Sequence, residues 1–154
     1  MTQFGHREPG LVGATFENES VYAPIILDGA HCDYAAARLA YKLKKDKFFL
    51  ISDATFLGRK IQNFKWDNFE AHLENGFYRN DEGNLAGATI SMEEAVQNAY
   101  QNLNVSVDEA IKMATSQVAS AIKMDNEIGK IKSGFPAHFV TFNDDLSRIE
   151  SMLF

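Results

Sequence analysis

The fold of this chain depends most on one segment, Lys47-Phe48-Phe49-Leu50-Ile51-Ser52-Asp53-Ala54-Thr55. A short, uninterrupted apolar run of this kind is typical of a parallel strand that is covered on both faces, and a polar turn follows it directly. In parallel α/β folds, catalytic groups gather at the carboxyl ends of the strands. Asp53 is therefore a candidate catalytic carboxylate, although a residue that only caps a turn or a helix would look the same here.

A second strand and a helix precede this segment. Residues 21–27 are apolar and end at Asp28, which predicts another buried strand, although Pro24 cannot donate a hydrogen bond to a ladder. After Asp33, which is a good N-cap residue, the pattern changes to that of a helix. The residues that recur with helical spacing are Ala37, Ala40, Tyr41 and Lys44.

These three elements predict one βαβ unit with a right-handed crossover. The carboxyl ends of its two parallel strands meet at the same edge of the sheet. We therefore expect Asp28, His31 and Asp53 to lie at that edge.

The segments on either side of this unit are more irregular. Residues 1–20 show no clear period and indicate a loop or one short helix. Segments 63–66, 70–73 and 77–80 predict short strands, and the Asn75-Gly76 pair between the last two is a good hairpin signal.

Helices dominate the pattern after residue 90. Two capping boxes, Ser91–Glu94 and Ser106–Glu109, each precede an apolar stripe with helical spacing and predict the start of a helix. Residues 118–122 predict a third helix, and residues 138–142 predict a return to strand.

The composition limits the classes of function. The 154 residues have the length of one ordinary domain, with 15 basic and 21 acidic residues and a net charge of −6. The one basic cluster, residues 42–45, indicates the solvated end of a helix, so nucleic acid is not an expected partner. A single cysteine excludes an internal disulfide and fits a reducing, cytoplasmic setting. No segment predicts a signal peptide or a membrane span, so a membrane is not an expected partner either.

The four histidines include no pair at metal-ligand spacing, so the sequence predicts no complete metal site. His31 follows a strand end where a ligand could be bound, but a lone histidine in a loop is more often structural. His72 and His138 lie inside β segments and indicate no special role. Cys32 beside His31 is a weak candidate nucleophile, because the sequence places no second base near it.

Two other places could meet an anionic ligand. Arg7 could hold a phosphate with both guanidinium nitrogens, or it could form an ion pair with its neighbour Glu8. The small residues of Leu85-Ala86-Gly87 would let a ligand approach the backbone, and they would equally suit tight packing.

Four motifs follow one another along the chain: His6–Ala14, Asp28–His31, Ser52–Thr55 and Gly83–Gly87. Their order and approximate spacing resemble those of the N-acetylglucosamine-6-phosphate deacetylase family. Segments 113–115 and 129–137 resemble features that metal-dependent amidohydrolases share more widely. The resemblance covers essentially the whole chain.

The resemblance implies an α/β fold that forms the C-terminal part of a (β/α)8 TIM barrel of the metal-dependent amidohydrolase type. Residues 1–123 would hold barrel strands 7 and 8 with the helices that follow them. Residues 124–154 would be the last strands of a small β-sandwich. On this template Met1 resembles an internal methionine.

The resemblance also implies the chemistry. Asp53 matches the catalytic aspartate, which takes a proton from metal-activated water and passes it to the departing sugar amine. N-acetylglucosamine 6-phosphate would give glucosamine 6-phosphate and acetate. A divalent metal would be held by a glutamate and two histidines that have no counterpart in this chain, so no metal ligand is assigned here unless Asp53 itself contacts the metal. The metal in the complete enzyme is expected, and its identity is open.

The substrate residues are implied in the same way. Arg7 and His31 match residues that contact the sugar phosphate, in some members across a homodimer interface. Asp28, Gly29 and Ala30 match the rest of the first substrate loop. Leu85, Ala86 and Gly87 match a second substrate segment.

The chain departs from the family at residues 56–59, where Phe-Leu-Gly-Arg replaces a loop that usually contains proline and glycine. Without its metal ligands, we expect the chain alone to be inactive. The alternatives are a degenerate, non-enzymatic remnant that acts as an oligomerisation or phosphosugar-binding module, and one half of a split enzyme completed by an N-terminal chain. The unpaired strand edge of a cut barrel would favour such partners.

Overall fold

A computed structural model describes residues 4–143, 146 and 148–153, so the expectation for Met1 lies outside the described residues. The elements follow one another as α1 Gly10–Glu17, β1 Ala23–Ile26, α2 Tyr34–Lys44, a 3₁₀ helix Lys45–Lys47, β2 Phe48–Ile51, β3 Asn63–Trp66, β4 Phe69–Glu74, β5 Phe77–Arg79, α3 Met92–Asn102, α4 Val107–Ala114, α5 Ser116–Ala121, β6 His138–Phe142 and β7 Arg148–Leu153.

The predicted βαβ unit is confirmed. Strands β1 and β2 are parallel, and their register pairs Ala23 with Phe48 and Ile26 with Ile51. Helix α2 forms the crossover, and its N-cap is Asp33, whose carboxylate accepts a hydrogen bond from a backbone N–H of the first turn. Pro24 lies within β1, which pairs with β2 alone among the strands that the structure describes. An edge position explains how the proline is tolerated.

Strand β2 is covered on one face rather than on two, which corrects the expectation from its continuous apolar run. Phe48 and Leu50 are buried in the main core with residues of helices α2, α3 and α4. Phe49 and Ile51 alternate with them on the opposite face and are only half-buried. An apolar run alone cannot show how far the second face is covered, because both cases leave the same sequence pattern.

The helices that the capping boxes predicted contribute several residues to the main core. Ser91 and Ser106 each accept a hydrogen bond from the N–H of the glutamate three residues later, and each glutamate accepts one in return. Helix α5 follows at residues 116–121. The buried residues of these helices are Ala95, Val96, Ala99, Ala110, Met113 and Ala119, and all but Ala119 belong to the main core.

The sequence predicted that the basic cluster at residues 42–45 is solvated. The structure buries one of its lysines, Lys44. The side chain of Lys44 is buried, and its residue is only 3 % exposed. Its Nζ donates to the backbone carbonyls of Thr15 at 2.9 Å and Asn18 at 2.6 Å, at the carboxyl end of α1. The ammonium group therefore joins α1 to α2, because it satisfies carbonyl groups that a helix end leaves free.

Two smaller sheets complete the fold. Strands β3, β4 and β5 form an antiparallel meander, and Asn75 and Gly76 turn between β4 and β5 with φ values of 51° and 85°. The hairpin prediction is thus confirmed. A second small core lies under this meander, and β6 and β7 form a separate antiparallel pair. The division of the chain at residue 123 stays a prediction. In the part of the chain described, no helix has the length and apolarity needed to cross a membrane.

Candidate active site

Three of the predicted site segments meet at one edge of the fold. The last paired residues of β1 and β2 are Ile26 and Ile51, so Asp28 and Asp53 each follow two residues later at the carboxyl ends. Ala54 forms a parallel bridge with Ala88, which brings the second predicted substrate segment alongside the turn after β2. The parallel strands explain why residues far apart in the sequence meet here.

The Asp28 carboxylate organises its own loop. Its Oδ1 accepts hydrogen bonds from the N–H groups of Ala30 at 2.9 Å and His31 at 2.8 Å, and its Oδ2 lies 2.7 Å from Nδ1 of His31. The side chain of Asp28 is only 4 % exposed. The carboxylate therefore fixes the direction of the imidazole ring and leaves Nε2 of His31 as the ring nitrogen for a ligand.

The electrostatics of this loop follow from those hydrogen bonds. Burial by itself raises the pKa of Asp28, but hydrogen bonds from the His31 ring and from the backbone N–H groups of His31 and Ala30 outweigh it, so the pKa lies below its ordinary value. Burial, with the nearby Asp33 and Asp28 carboxylates, raises the pKa of the Cys32 thiol. A raised pKa lowers the fraction of reactive thiolate at neutral pH. This argues against Cys32 as a nucleophile.

Gly29 has a positive φ of 78°, and a Cβ at this position would lie 3.0 Å from the ring of Tyr34. A side chain at position 29 would therefore be strained by the backbone conformation and would crowd the Tyr34 ring. This packing constraint exists beside the substrate contact that the resemblance implies for Gly29, Ala30 and Asp28, which stays a prediction.

Asp53 differs from Asp28 in every respect except its place after a strand. Its residue is exposed, and its carboxylate forms no hydrogen bond or ion pair with another described residue. Its backbone lies in the left-handed region with φ 46°, where a residue other than glycine is uncommon. Its carbonyl oxygen accepts a hydrogen bond from the N–H of Ala88 at 3.3 Å. The backbone is thus fixed while the carboxylate stays free to react.

The second substrate segment is held on both sides by backbone contacts. Leu85 bridges to Arg79 of β5, and the N–H of Ala86 donates to the carbonyl of Tyr78 at 2.8 Å. Gly87 follows with φ 101°. The structure therefore places these three residues between the meander and the turn that carries Asp53.

Arg7 is not brought together with these groups. It is exposed, and its guanidinium forms no ion pair or hydrogen bond with another described residue, so the alternative pairing with Glu8 does not occur. A phosphate contact for Arg7 stays a prediction that rests on the resemblance.

Sequence reasoning missed several residues that build this edge. Asn98 of α3 donates from Nδ2 to the carbonyl of Leu27 at 2.8 Å, which holds the end of β1. Arg59 makes two hydrogen bonds of 2.6 and 3.0 Å to the carboxylate of Glu94. These side chains and Asp28 line a cavity of about 190 Å³. The capping box predicted a role for Glu94 at the start of α3. No local sequence pattern predicts its ion pair with Arg59, which lies 35 residues earlier.

The family metal site does not fit the residues present. Asp53 belongs to no described group of three metal-ligating side chains. The one such group in the described residues is Glu70, His72 and Asp81, whose ligand atoms lie within 4.8 Å of one another. It lies on the meander, Nε2 of His72 is 2.6 Å from Asp81, and Lys65 is ion-paired with Glu70. These atoms could hold a cation only after those contacts were broken.

A larger cavity, of about 570 Å³, lies at the turn between β3 and β4 and is lined by Trp66, Asp67, Asn68 and Phe69. Trp66 is 72 % exposed, and none of these residues belongs to the predicted site. Titratable groups that could transfer a proton meet at the strand ends instead, so we place the active-site candidate there.

The chain is similar to known proteins over almost its whole length. The sequence pattern described as "Amidohydrolase family" matches residues 18–153. The chain is 29 % identical over 150 residues to the N-acetylglucosamine-6-phosphate deacetylase of Haemophilus influenzae, which covers 96 % of this chain and 39 % of that protein. It is 33 % identical to a protein of Escherichia coli K12 called putative N-acetylgalactosamine-6-phosphate deacetylase, and the match covers 95 % of this chain and 88 % of that relative.

The crystal structure of N-acetylglucosamine-6-phosphate deacetylase from Pasteurella multocida matches the fold with a TM-score of 0.91 at 33 % identity, over 97 % of this chain and 39 % of that one. The chain thus spans about two fifths of the length of the Haemophilus influenzae and Pasteurella multocida deacetylases. The predicted resemblance and fold class, the C-terminal part of a (β/α)8 barrel with strands of a small β-sandwich, are confirmed.

Proposed function

The chain belongs to the amidohydrolase family, and on that basis we propose that it supplies the general acid/base and part of the substrate site of an N-acetylglucosamine-6-phosphate deacetylase. The observation that carries this proposal is the free carboxylate of Asp53. It follows a parallel strand, is exposed, and has a backbone held by Ala88. A general base needs this combination of a fixed position and an unoccupied carboxylate.

The proposed reaction is hydrolysis of the acetamide. Asp53 accepts a proton from the water whose oxygen attacks the carbonyl carbon, and then delivers that proton to the nitrogen as the carbon–nitrogen bond breaks. The products are acetate and glucosamine 6-phosphate, so one water is consumed and no redox partner is needed. Polarisation of the water would come from a divalent metal, and the one described group of three candidate ligands, Glu70, His72 and Asp81, does not include Asp53.

The substrate is oriented by the loop at the end of β1 and by the second segment beside Asp53. His31 presents Nε2 because Asp28 holds Nδ1. Arg7 would bind the phosphate with its permanently charged guanidinium, in the homodimer that the resemblance implies. Gly29, Ala30, Leu85, Ala86 and Gly87 complete the proposed substrate contacts.

The half-covered face of β2 supports a larger assembly. Phe49 and Ile51 point away from the helices and are incompletely buried, as expected when further barrel strands would cover them. Residues 1–123 would belong to that barrel and 124–154 to the small sandwich. The single thiol of Cys32 suits a reducing cytoplasm.

The direct test is a chimera in which this chain replaces the matched segment of the Haemophilus influenzae relative. Acetate release from N-acetylglucosamine 6-phosphate is measured with added divalent metal. We expect turnover by the chimera and a loss of about 10²–10⁴-fold in kcat for Asp53→Asn, the range for a general acid/base. A folded, metal-binding chimera without turnover, or a fully active Asp53→Asn variant, would contradict the proposal.

The galactosamine epimer is tested in the same assay, because the Escherichia coli K12 relative carries that name. The ratio of kcat/KM for the two phosphosugars then assigns the sugar. Equal kcat/KM values would show that the chimera does not discriminate between the two epimers.

The second candidate function is a non-enzymatic oligomerisation or phosphosugar-binding module. The observation that favours it is the Escherichia coli K12 relative, most of whose length this chain covers. The 154-residue chain is tested alone for acetate release, and for phosphosugar binding by calorimetry. We expect no acetate release; release by the pure chain would contradict a non-enzymatic function. A stable oligomer that binds phosphosugar, combined with an inactive chimera, would favour this second function.

A further inference from the structure

The backbone of Asp53 needs an external restraint. Its φ of 46° lies in the left-handed region, which brings Cβ of any residue but glycine close to a neighbouring carbonyl oxygen. Such a conformation persists only where the surrounding contacts over-determine it. Because the carboxylate has no described partner, those contacts must come from the backbone.

One buried residue supplies them. The N–H of Ala88 donates to the carbonyl of Asp53 at 3.3 Å, and the carbonyl of Ala88 accepts from the N–H of Thr55 at 3.0 Å. Ala88 is fully buried in the main core. The two hydrogen bonds lie on either side of Ala54, and the first of them holds the carbonyl of Asp53, so Ala88 fixes the C-terminal side of the turn that carries the carboxylate.

The residue before Ala88 adds a steric contact to the same turn. Gly87 has φ 101°, and a Cβ placed on it would lie 2.2 Å from Cγ2 of Thr55. The hydroxyl of Thr55 is buried and has no hydrogen-bond partner among the described residues. The side chain of Thr55 is thus held by packing against Gly87 rather than by a polar contact.

We propose that Gly87 and Ala88 are positioning residues for Asp53. The second substrate segment and the turn that carries the general base are then held together and move together. A sugar phosphate bound by residues 85–87 would then also fix the carboxylate. The resemblance implies only a substrate contact for Gly87. The catalytic consequence of this coupling rests on the proposed function, whereas the backbone coupling itself does not.

The test uses a double-variant cycle in the active chimera. Gly87→Ala adds the methyl group that meets Thr55, and Thr55→Ser removes the Cγ2 that it would meet while keeping the buried hydroxyl. Gly134→Ala is the matched control, because Gly134 also has a positive φ, of 88°, but no atom within 4 Å of its Cβ position. It separates backbone strain from the collision.

We expect Gly87→Ala to lower kcat at least tenfold per folded enzyme, and the added Thr55→Ser change to restore part of that loss. The remaining loss reflects alanine at φ 101°. Gly134→Ala should leave kcat and KM unchanged. A change in KM alone without rescue by Thr55→Ser would overturn the proposal and leave Gly87 as a substrate contact only.

Amide hydrogen exchange in the 154-residue chain gives a readout that needs no activity. The hydrogen-bonded amides of Thr55 and Ala88 should exchange at least tenfold faster in Gly87→Ala and should recover in part in the double variant. Unchanged exchange at both amides would overturn the coupling. If the unmutated chimera is inactive, the proposed function fails, but the exchange measurement still decides whether Gly87 and Ala88 hold the Asp53 turn.

Discussion

Asp28 and Asp53 occupy equivalent positions, because each lies two residues after the last paired residue of a parallel strand. The environments of their carboxylates are nevertheless opposite. The Asp28 carboxylate is 4 % exposed and has three contacts with its own loop. The Asp53 carboxylate is exposed and has no described partner. A carboxylate that its own loop saturates orients a neighbour, here His31, whereas a free carboxylate can exchange a proton with substrate.

The difference comes from how each turn is anchored. Asp28 closes its turn with its side chain, so both carboxylate oxygens are engaged in hydrogen bonds within the loop. Asp53 leaves that task to Ala88, whose backbone N–H and C=O hold the turn. Anchoring by a remote backbone group is therefore what leaves Asp53 available for chemistry.

The largest expected effect comes from deleting each carboxylate in turn. Asp28→Ala leaves two backbone N–H groups and one ring N–H without their acceptor, and we expect a loss of about 2–4 kcal/mol in the free energy of unfolding. Asp53→Ala should cost only about 0.5–1 kcal/mol, for alanine in left-handed backbone. Urea unfolding of both variants measures the difference. Equal losses would remove the contrast between the two turns.

The pH dependence of stability sharpens the same contrast. The pKa of Asp28 is lowered in the folded state, so its stabilising effect is complete above the unfolded value of about 3.9 and is lost as the pH falls through the lower folded value. Asp28→Asn cannot titrate, so we expect a flatter curve below pH ~4. Unfolding midpoints across acidic pH provide the measurement, and a parent-like slope in Asp28→Asn would contradict the prediction.

A smaller effect should appear when the left-handed residue is replaced by glycine. Asp53→Gly relieves the positive φ, and we expect a gain of about 0.5 kcal/mol after the entropy cost of glycine. The same change in the chimera should abolish turnover. Thermal unfolding checks the sign, and a destabilised Asp53→Gly variant would mean that the carboxylate has a structural role.

The smallest effect concerns the pair that joins the turn after Asp53 to helix α3. Arg59 and Glu94 are both more than a third exposed, so solvent screens their attraction. A double-mutant cycle with Arg59→Gln and Glu94→Gln should give a coupling of about 0.5 kcal/mol. A coupling near zero would leave the backbone of Ala88 as the main anchor of this turn.

Local patterns predicted most of the elements and one half of the site. The apolar runs predicted β1 and β2, and the Asn75-Gly76 pair predicted the turn between β4 and β5. Strand order then placed Asp28 and Asp53 at one edge. Each of these signals lies within a few neighbouring residues, where φ preferences and N-caps act directly.

The sequence by itself thus determined which segments are strands and helices and which carboxylates reach the strand ends. Only the tertiary structure decided that Lys44 is buried and that Ala88 holds the turn at Asp53. The reason is physical. These outcomes depend on contacts between residues tens of positions apart, and such contacts leave no pattern in the local sequence.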